Sequence, residues 1–304
     1  MVFRVLVLSG GSLCGIISLE VLKKIALLSG MTIHEFFNLI IGASTGTLEG
    51  STLAAGAAPS DIEDMYFNNG EHIFTYQYPW YKPIKKLTSP WYDRNRVLVP
   101  LNEILVKNQA TTMNTLKTKF ISMTVNTLTN ENIRMRSFGG DEYENDQIID
   151  CVAKSFAAVA YFGHYVDEKR KIVCEDGGEG LGNIPIVYGL IEALKLTQPT
   201  DTIEIYAVGA GFSNSNPTFE AAKKQNNLED LWDSYLAEGE TLGRIQARIE
   251  QVKLLQELMA ARPTQVKFAY FDTQISKDSN TMSGWKYMSY YKDMGSKIPV
   301  ELIK

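Results

Sequence analysis

The sequence contains few histidines and cysteines and no long apolar or basic runs. Its 304 residues include only three histidines and three cysteines. Such scattered cysteines do not provide a disulfide framework or a zinc site, so we expect a reducing compartment. No apolar stretch reaches the ~18 residues that span a bilayer, and the N-terminal run at residues 5–8 is too short for a signal peptide. The sequence therefore predicts a cytoplasmic protein, with any membrane contact peripheral.

The charge balance argues against a nucleic-acid partner. The formal net charge is −5 and no long run of lysine or arginine occurs, whereas binding to nucleic-acid phosphates depends on clustered cations. Hydrophobic residues make up 45% of the chain and charged residues 21%, which is typical of an ordinary globular protein. We expect a single domain over residues 1–304, carrying insertions. Homodimerisation stays open.

Strand, turn and helix patterns alternate along the first third of the chain. Residues 3–8 form an apolar run that ends in glycines, and residues 16–28 have helical apolar spacing. A second unit follows, with a strand at 37–41 and a helix at 47–57. Two consecutive units of this kind predict an α/β fold with a mostly parallel sheet. Further elements are predicted as strands at 119–128, 132–138, 171–174 and 202–208, and helices at 146–158 and 185–196.

Two segments depart from this alternation. Residues 61–96 contain nine aromatics among prolines and lysines, which predicts an insertion such as a lid. Its aromatics either lie at a lipid interface with the lysines toward anionic lipid, or pack into the core. The second segment, about 228–304, is expected to be helical, and an aromatic run at residues 285–291 has the same two interpretations.

A strand-turn-helix motif contains the candidate nucleophile. Residues 42–46, Gly-Ala-Ser-Thr-Gly, match the pattern G-x-S-x-G, in which a serine lies on a cramped turn between a buried strand and a helix. Flanking glycines avoid a clash with the neighbouring backbone. The alternative is a serine that only caps a helix. The apolar strand before Ser44 and the helix after it favour the nucleophile.

The base that would activate Ser44 is not an obvious histidine. His34, His72 and His164 are the three candidates, and none follows Asp176, as the order serine, acid, histidine of α/β-hydrolases would require. His164 could complete a triad only with an earlier acid. Asp176 ends a short apolar strand and precedes two glycines, so it could lie at the carboxyl edge of a parallel sheet. Alone, an Asp-Gly pair is more often a plain turn.

The ordered set of motifs resembles the patatin-like phospholipase family. Its members carry a glycine-rich loop after the first strand, a G-x-S-x-G elbow and a later D-G-G. The similar stretches here cover about residues 5–212 and are Ser9 to Ile16, Phe37 to Gly46, Ala157 to Phe162, Asp176 to Gly178, Asn183 to Pro185, and Val208 to Gly211.

The resemblance implies a three-layer α/β/α patatin-like fold and a phospholipase A-type hydrolase that needs no metal or cofactor. Ser44 would attack the ester carbonyl, Asp176 would take its proton, and an acyl-enzyme would form. Substrates would be phospholipids or other acyl esters, reached by transient peripheral contact with a membrane. Backbone N–H groups of Gly10, Gly11 and Ser12 would hold the oxyanion, and the elbow and its loops would be supported by Gly15, Gly42, Gly46, Gly177 and Gly178.

Two positions depart from the family pattern. Ser9 replaces its leading aspartate and Cys14 its arginine, so an ion pair across the glycine-rich loop is absent. We interpret this as a change in loop support or substrate preference. Cys14 has no adjacent basic residue that would make it a nucleophile. The alternative functions are a general esterase or acyltransferase, and a non-catalytic lipid-binding homologue.

Overall fold

The computed structural model describes residues 1–78, 89–180, 183–213, 242–261, 265–281 and 283–304. Its strands are β1 (Val2–Leu8), β2 (Leu39–Ala43), β3 (Lys119–Asn126), β4 (Glu131–Arg136), β5 (Tyr165–Asp167), β6 (Ile172–Asp176), β7 (Thr202–Val208) and β8 (Val266–Phe271). Its α-helices are α1 (Gly15–Ser29), α2 (Ile33–Phe36), α3 (Thr45–Ala54), α4 (Pro59–Ile73), α5 (Asn95–Lys107), α6 (Ile148–Ser155), α7 (Gly177–Gly180), α8 (Ile186–Leu196), α9 (Leu242–Ala261) and α10 (Met288–Lys297).

The strands form one mostly parallel sheet, as the sequence predicts. Their order is β5-β6-β3-β2-β1-β7-β8, with β4 also paired to β3. The central pairs β3-β2, β2-β1, β1-β7 and β7-β8 are parallel, while β4 and β6 run antiparallel to β3 and β5 antiparallel to β6. One expectation is corrected here, because the strand that ends in Asp176 is antiparallel to its neighbour.

Alternating side chains of β1 divide the core into two layers. Leu6 and Leu8 belong to the larger apolar cluster, together with residues of α1, α3, α4, α5 and α6. Val5 and Val7 belong to the smaller cluster on the opposite face, with residues of α8 and α9. Because successive side chains of a strand point to opposite faces, helices cover both faces of the sheet. The three-layer α/β/α fold is confirmed.

The two segments expected to depart from the α/β pattern are more regular than the sequence predicts. The aromatic insertion at 61–96 includes most of helix α4 and the start of α5, and its residues 79–88 lie outside the described residues. The C-terminal part at 228–304 is not wholly helical, because it contains β8, which extends the sheet beside β7. Residues 228–241 lie outside the described residues as well.

Several described aromatics of these segments pack against the core, although Phe67 and Tyr76 are exposed. Tyr92 is buried and Trp91 packs against the larger cluster, and the Tyr92 and Phe74 rings meet edge to face with centroids 5.1 Å apart. Near the C-terminus, Tyr291 is fully buried. These contacts favour core packing over a lipid interface for the residues concerned, while Trp80 and Tyr81 fall outside the described part of the chain.

Candidate active site

The turn between β2 and α3 holds Ser44 in an unusual backbone conformation. Its φ is 54° and its ψ is −124°, a region that residues with a β-carbon rarely adopt. The flanking glycines allow this turn: a β-carbon on Gly42 would lie 2.2 Å from the Gly46 carbonyl oxygen, and one on Gly46 would lie 2.4 Å from that of Leu8. The structure therefore contains the cramped strand-to-helix turn that the sequence predicts.

Strand register brings Ser44 and Asp176 to the same level of the sheet. Ala43 is paired with Met123 across β2 and β3. The following residue of β3, Thr124, is paired with Asp176 across β3 and β6. Ser44 and Asp176 therefore lie on opposite sides of β3, although they are 132 positions apart in the sequence.

The hydroxyl of Ser44 donates a hydrogen bond directly to the carboxylate of Asp176. The distance from Ser44 Oγ to Asp176 Oδ2 is 2.8 Å. The other oxygen, Oδ1, accepts a hydrogen bond of 2.8 Å from the Gly178 backbone N–H. Only 4% of Asp176 is exposed. A nucleophile within hydrogen-bonding reach of an oriented base is the arrangement that serine activation needs.

The glycine-rich loop after β1 lies against Ser44. A β-carbon on Gly10 would be 2.8 Å from that of Ser44. Both backbone groups of Gly10 contact Asn183: its N–H donates to the Asn183 carbonyl oxygen at 2.9 Å, and its own carbonyl accepts from Asn183 Nδ2 at 2.7 Å. The Gly10 N–H, which was predicted to bind the oxyanion, therefore holds the loop to Asn183 instead. Gly11 and Ser12 follow it in the same loop.

Ser12 keeps a conformation that a glycine would adopt without strain. Its φ is 54°, in the left-handed region. The loop thus retains its backbone course although a serine is present. The remaining predicted support glycines, and the predicted oxyanion glycines, also lie where an added β-carbon would come closer than 3.0 Å to another residue: Gly15, Gly177 and Gly178 in the first set, Gly10 and Gly11 in the second.

An apolar cleft opens beside the Ser44 hydroxyl. Its volume is about 470 Å³, including its open mouth. Ser12, Ser44, Thr45 and Asp176 contribute polar groups to its lining, and the remainder is almost entirely aliphatic and aromatic. Those residues come from α3 through α5 and the segment after α6: Leu48, Tyr66, Ile73, Phe74, Val97, Phe156, Ala158 and Phe162. Such a cleft suits a hydrocarbon chain attached to a polar ester.

None of the three histidines is among the described residues that line this cleft. His34 lies on α2, where its Nδ1 is 3.0 Å from the Thr32 hydroxyl, and the His164 backbone carbonyl accepts from Arg94. Within the described residues, no cluster of three or more histidine, cysteine or acidic side chains could hold a metal ion.

Cys14 is buried behind the glycine-rich loop. Burial raises the pKa of its thiol to about 12 despite a hydrogen bond with Tyr291, so the thiolate that acts as a nucleophile is scarcely formed near neutral pH. This agrees with the expectation that Cys14 is not a second nucleophile. Cys14 therefore places a neutral, buried side chain where the patatin-like motif has an arginine.

Two polar residues near the site were not assigned a role from the sequence. Asn183 was recognised only as part of a motif, and its long-range bonds to Gly10 depend on tertiary structure. Glu49 is completely buried on α3, where its carboxylate contacts Ser18 of α1 and Tyr66 of α4. The available signal for Glu49 was its position as the lone charge in a helix of small and apolar residues.

Comparison with known proteins agrees with this fold. The sequence profile described as patatin-like phospholipase matches residues 6–222. The chain belongs to the patatin-like phospholipase family. This family is one of lipid hydrolases, and the membership predicted from the sequence motifs is confirmed. Within the described residues, no helix is long and apolar enough to cross a membrane.

Two bacterial relatives share about a quarter of their aligned residues with this member of the family. A cGAMP-activated phospholipase of Escherichia coli (strain TW11681) is 26% identical over 250 residues, covering 75% of this chain and 68% of the relative. One of Vibrio cholerae serotype O1 is 26% identical over 208 residues, covering 63% and 58%. The crystal structure of VipD from Legionella pneumophila has a TM-score of 0.42 at 14% identity and covers 96% and 66%.

Proposed function

We propose that this chain is a phospholipase A-type acyl hydrolase that uses Ser44 and Asp176 as a catalytic dyad. The observation that carries the proposal is the 2.8 Å bond from Ser44 Oγ to Asp176 Oδ2, both residues lining a mostly apolar cleft. A serine hydroxyl needs a base for nucleophilic attack. Asp176 already accepts its hydrogen bond, while none of the three histidines is among the described residues that line the cleft.

The mechanism has two halves. Ser44 Oγ attacks the ester carbonyl as its proton passes to Asp176, and the N–H groups of Gly11 and Ser12 stabilise the negative oxygen of the tetrahedral intermediate. Asp176 then returns the proton to the departing alkoxide, which leaves as a lysolipid alcohol. A water molecule, deprotonated by Asp176, attacks the resulting acyl-enzyme and the fatty acid is released, which regenerates the Ser44 hydroxyl.

The cleft indicates which part of the substrate enters. Its aliphatic and aromatic lining would accept an acyl chain with its ester next to Ser44, and burial of each methylene contributes roughly 0.8 kcal/mol. The headgroup would remain outside. We therefore propose that the enzyme reaches its lipid substrate by transient peripheral contact with a membrane surface. We also propose that it acts in the cytoplasm and requires no metal or cofactor.

The deciding experiment combines product analysis with active-site labelling. Purified protein is incubated with mixed phospholipid vesicles, and released fatty acids and lysolipids are identified by mass spectrometry. Arms with and without cGAMP are included because both bacterial relatives are named for activation by it. Equal amounts of fatty acid and lysolipid are expected, together with fluorophosphonate labelling of Ser44 that Ser44→Ala removes. Well-folded protein that neither labels nor hydrolyses would contradict the proposal, and hydrolysis confined to soluble esters would indicate a general esterase.

A further inference from the structure

A relay of two hydroxyl groups, those of Ser155 and Thr47, is hydrogen-bonded to the backbone of the nucleophile elbow. The Ser44 backbone N–H donates to Ser155 Oγ at 2.9 Å. Ser155 Oγ lies 2.7 Å from Thr47 Oγ1, and Thr47 Oγ1 donates to the Gly42 carbonyl oxygen at 2.8 Å. The relay thus begins at Ser44, passes through two buried side chains and returns to the elbow two residues earlier.

Proton counting fixes the direction of every bond in this relay. Thr47 has one hydroxyl hydrogen, and the Gly42 carbonyl, which has none to give, takes it. The contact between Thr47 and Ser155 must therefore be donated by Ser155. Ser155 then uses its lone pairs to accept the Ser44 N–H, so each of the two hydroxyls donates one hydrogen bond and accepts one.

Ser155 is itself held in place by its neighbours on α6. It is fully buried as the last residue of this helix. The preceding Lys154 forms a 2.8 Å ion pair with Asp167. The Thr124 hydroxyl lies 2.9 Å from the Lys154 carbonyl oxygen and 2.8 Å from that of Glu175, with one hydrogen for the two acceptors, and Thr124 is the residue paired with Asp176. The end of α6 therefore lies against both the nucleophile and the strand pair that carries its acid.

The elbow needs such support because its conformation is unfavourable. A residue other than glycine in a sparsely populated φ/ψ region is strained and persists only when its surroundings hold it there. Rotation at Ser44 would move Oγ relative to Asp176 Oδ2. Elsewhere, a misplacement of about 1 Å in an active site costs ~10²-fold in rate.

We propose that Ser155, oriented by its hydrogen bond to Thr47, is a positioning residue that keeps the Ser44 hydroxyl in hydrogen-bonding reach of Asp176. This inference rests on the proposed dyad function. In the described structure the hydrogen bonds of the Ser155 and Thr47 hydroxyls go only to the backbone of the elbow and to each other, and neither residue lines the cleft.

Paired variants separate the hydroxyl from the space it fills. Thr47→Val has nearly the same shape without the hydroxyl, and Thr47→Ser restores the hydroxyl. Ser155→Ala and Ser155→Thr form the second pair. The control is Thr52→Val on the same helix, because the Thr52 hydroxyl is also buried and donates to a backbone carbonyl, that of Leu48, at 2.6 Å. Thr52 makes no bond to the elbow in the described structure.

Kinetics normalised to the fluorophosphonate-titrated fraction give the first result. We expect kcat to fall ~10–100-fold in Thr47→Val and Ser155→Ala, with KM changed less than about threefold because the acyl cleft is untouched. Thr47→Ser and Ser155→Thr should recover most of kcat, and Thr52→Val should match wild type. Normal kcat in both Thr47→Val and Ser155→Ala would overturn the proposal, as would a loss in Thr52→Val equal to that in Thr47→Val.

Amide hydrogen exchange at Ser44, followed by NMR, gives a second result that needs no turnover. Loss of the Ser155 acceptor should accelerate exchange of the Ser44 N–H by at least ~10-fold, since local opening no longer breaks a buried hydrogen bond. If wild type fails to hydrolyse any lipid, the proposed function fails and this measurement alone decides whether the relay holds the elbow. Unchanged exchange in both Ser155→Ala and Thr47→Val would refute it.

Discussion

Replacing Glu49 by glutamine is expected to stabilise the fold at neutral and alkaline pH. Glu49 is fully buried on α3. Its Oε2 lies 2.5 Å from Ser18 Oγ and its Oε1 accepts from the Tyr66 hydroxyl at 3.2 Å. Within the described residues it forms no ion pair. An unpaired buried carboxylate is strongly disfavoured, so such a group takes up a proton instead.

The contacts of Ser18 agree with a protonated Glu49. Ser18 Oγ lies 2.6 Å from the Gly15 carbonyl oxygen as well as 2.5 Å from Glu49, yet a serine has one hydroxyl hydrogen. Both contacts are satisfied only if Ser18 donates to Gly15 and the Glu49 carboxyl donates to Ser18. Burial raises the pKa of Glu49 from its usual 4.5 to about 8, against the opposing effect of its hydrogen bonds.

The sign of the pH effect follows from this raised pKa. Between pH 4.5 and about 8 the folded chain keeps a proton that the unfolded chain has released, so the free energy of unfolding falls with rising pH. The fall is ~1.4 kcal/mol per pH unit, or roughly 5 kcal/mol over the whole interval as an upper limit. Below pH 4.5 the contribution of Glu49 to the free energy of unfolding is fully present. Above its folded pKa, this group lowers the free energy of unfolding no further.

Urea unfolding between pH 5 and 8.5 tests the prediction. A glutamine amide can donate to Ser18 and accept from Tyr66 at every pH. Glu49→Gln should therefore differ from wild type by less than ~1 kcal/mol at pH 5 and be more stable by roughly 3–4 kcal/mol at pH 8. Wild-type and variant curves that stay parallel across the pH range would refute the reasoning.

Glu63 provides a matched control with the opposite sign. It is also buried, on α4, but it accepts hydrogen bonds from Lys23 at 2.6 Å and Lys292 at 3.2 Å. Burial raises its pKa, and the two lysines more than offset that effect, so its pKa lies below the usual value. Its stabilising contribution is present near neutral pH and is lost as pH falls. Glu63→Gln should therefore destabilise the fold at pH 7, with the difference shrinking toward pH 3.

Three further predictions concern the site itself. Asp176→Asn should lower the rate of lipid hydrolysis at least ~10³-fold without changing the circular dichroism spectrum, whereas Glu175→Gln on the same strand should remain active; persistent activity in Asp176→Asn would restore a histidine base. Ile73→Phe should narrow the cleft, and competition between acyl chains should then favour shorter ones; unchanged selectivity would mean that the chain lies elsewhere. Asn183→Gly, which suits the φ of 70° at that position, should remove the side-chain bond to Gly10 and lower kcat about tenfold, and a wild-type kcat would contradict a bracing role.

Local sequence pattern was sufficient for the parts of the site formed by neighbouring residues. The turn around Ser44 is specified by its two glycines, the apolar strand before it and the helix after it. The β7 strand was predicted with the bounds that the structure has, Thr202–Val208, because its apolar run ends at a glycine. Short-range rules work where the determining residues are adjacent in the chain.

Contacts between distant segments could not be predicted from the sequence. Nothing local indicates that β6 runs antiparallel, since the direction of a strand depends on the path of the chain before it. The bonds from Asn183 to Gly10 and from Ser44 to Ser155 join residues 173 and 111 positions apart. The strand β8 was missed because its short apolar run, Phe268 to Phe271, lies inside a segment whose helical pattern dominated.

The last strand and helix have a practical consequence for anyone who prepares this protein. The family profile ends at residue 222, yet β8 pairs with β7 along its length, and the α10 glycine Gly295 lies so close to α1 that a β-carbon there would be 2.8 Å from the Ile17 carbonyl oxygen. A fragment trimmed to the profile would leave the β7 edge unpaired and uncover α1. Such an exposed edge invites aggregation, so boundaries for expression should be chosen from the sheet rather than from the family match.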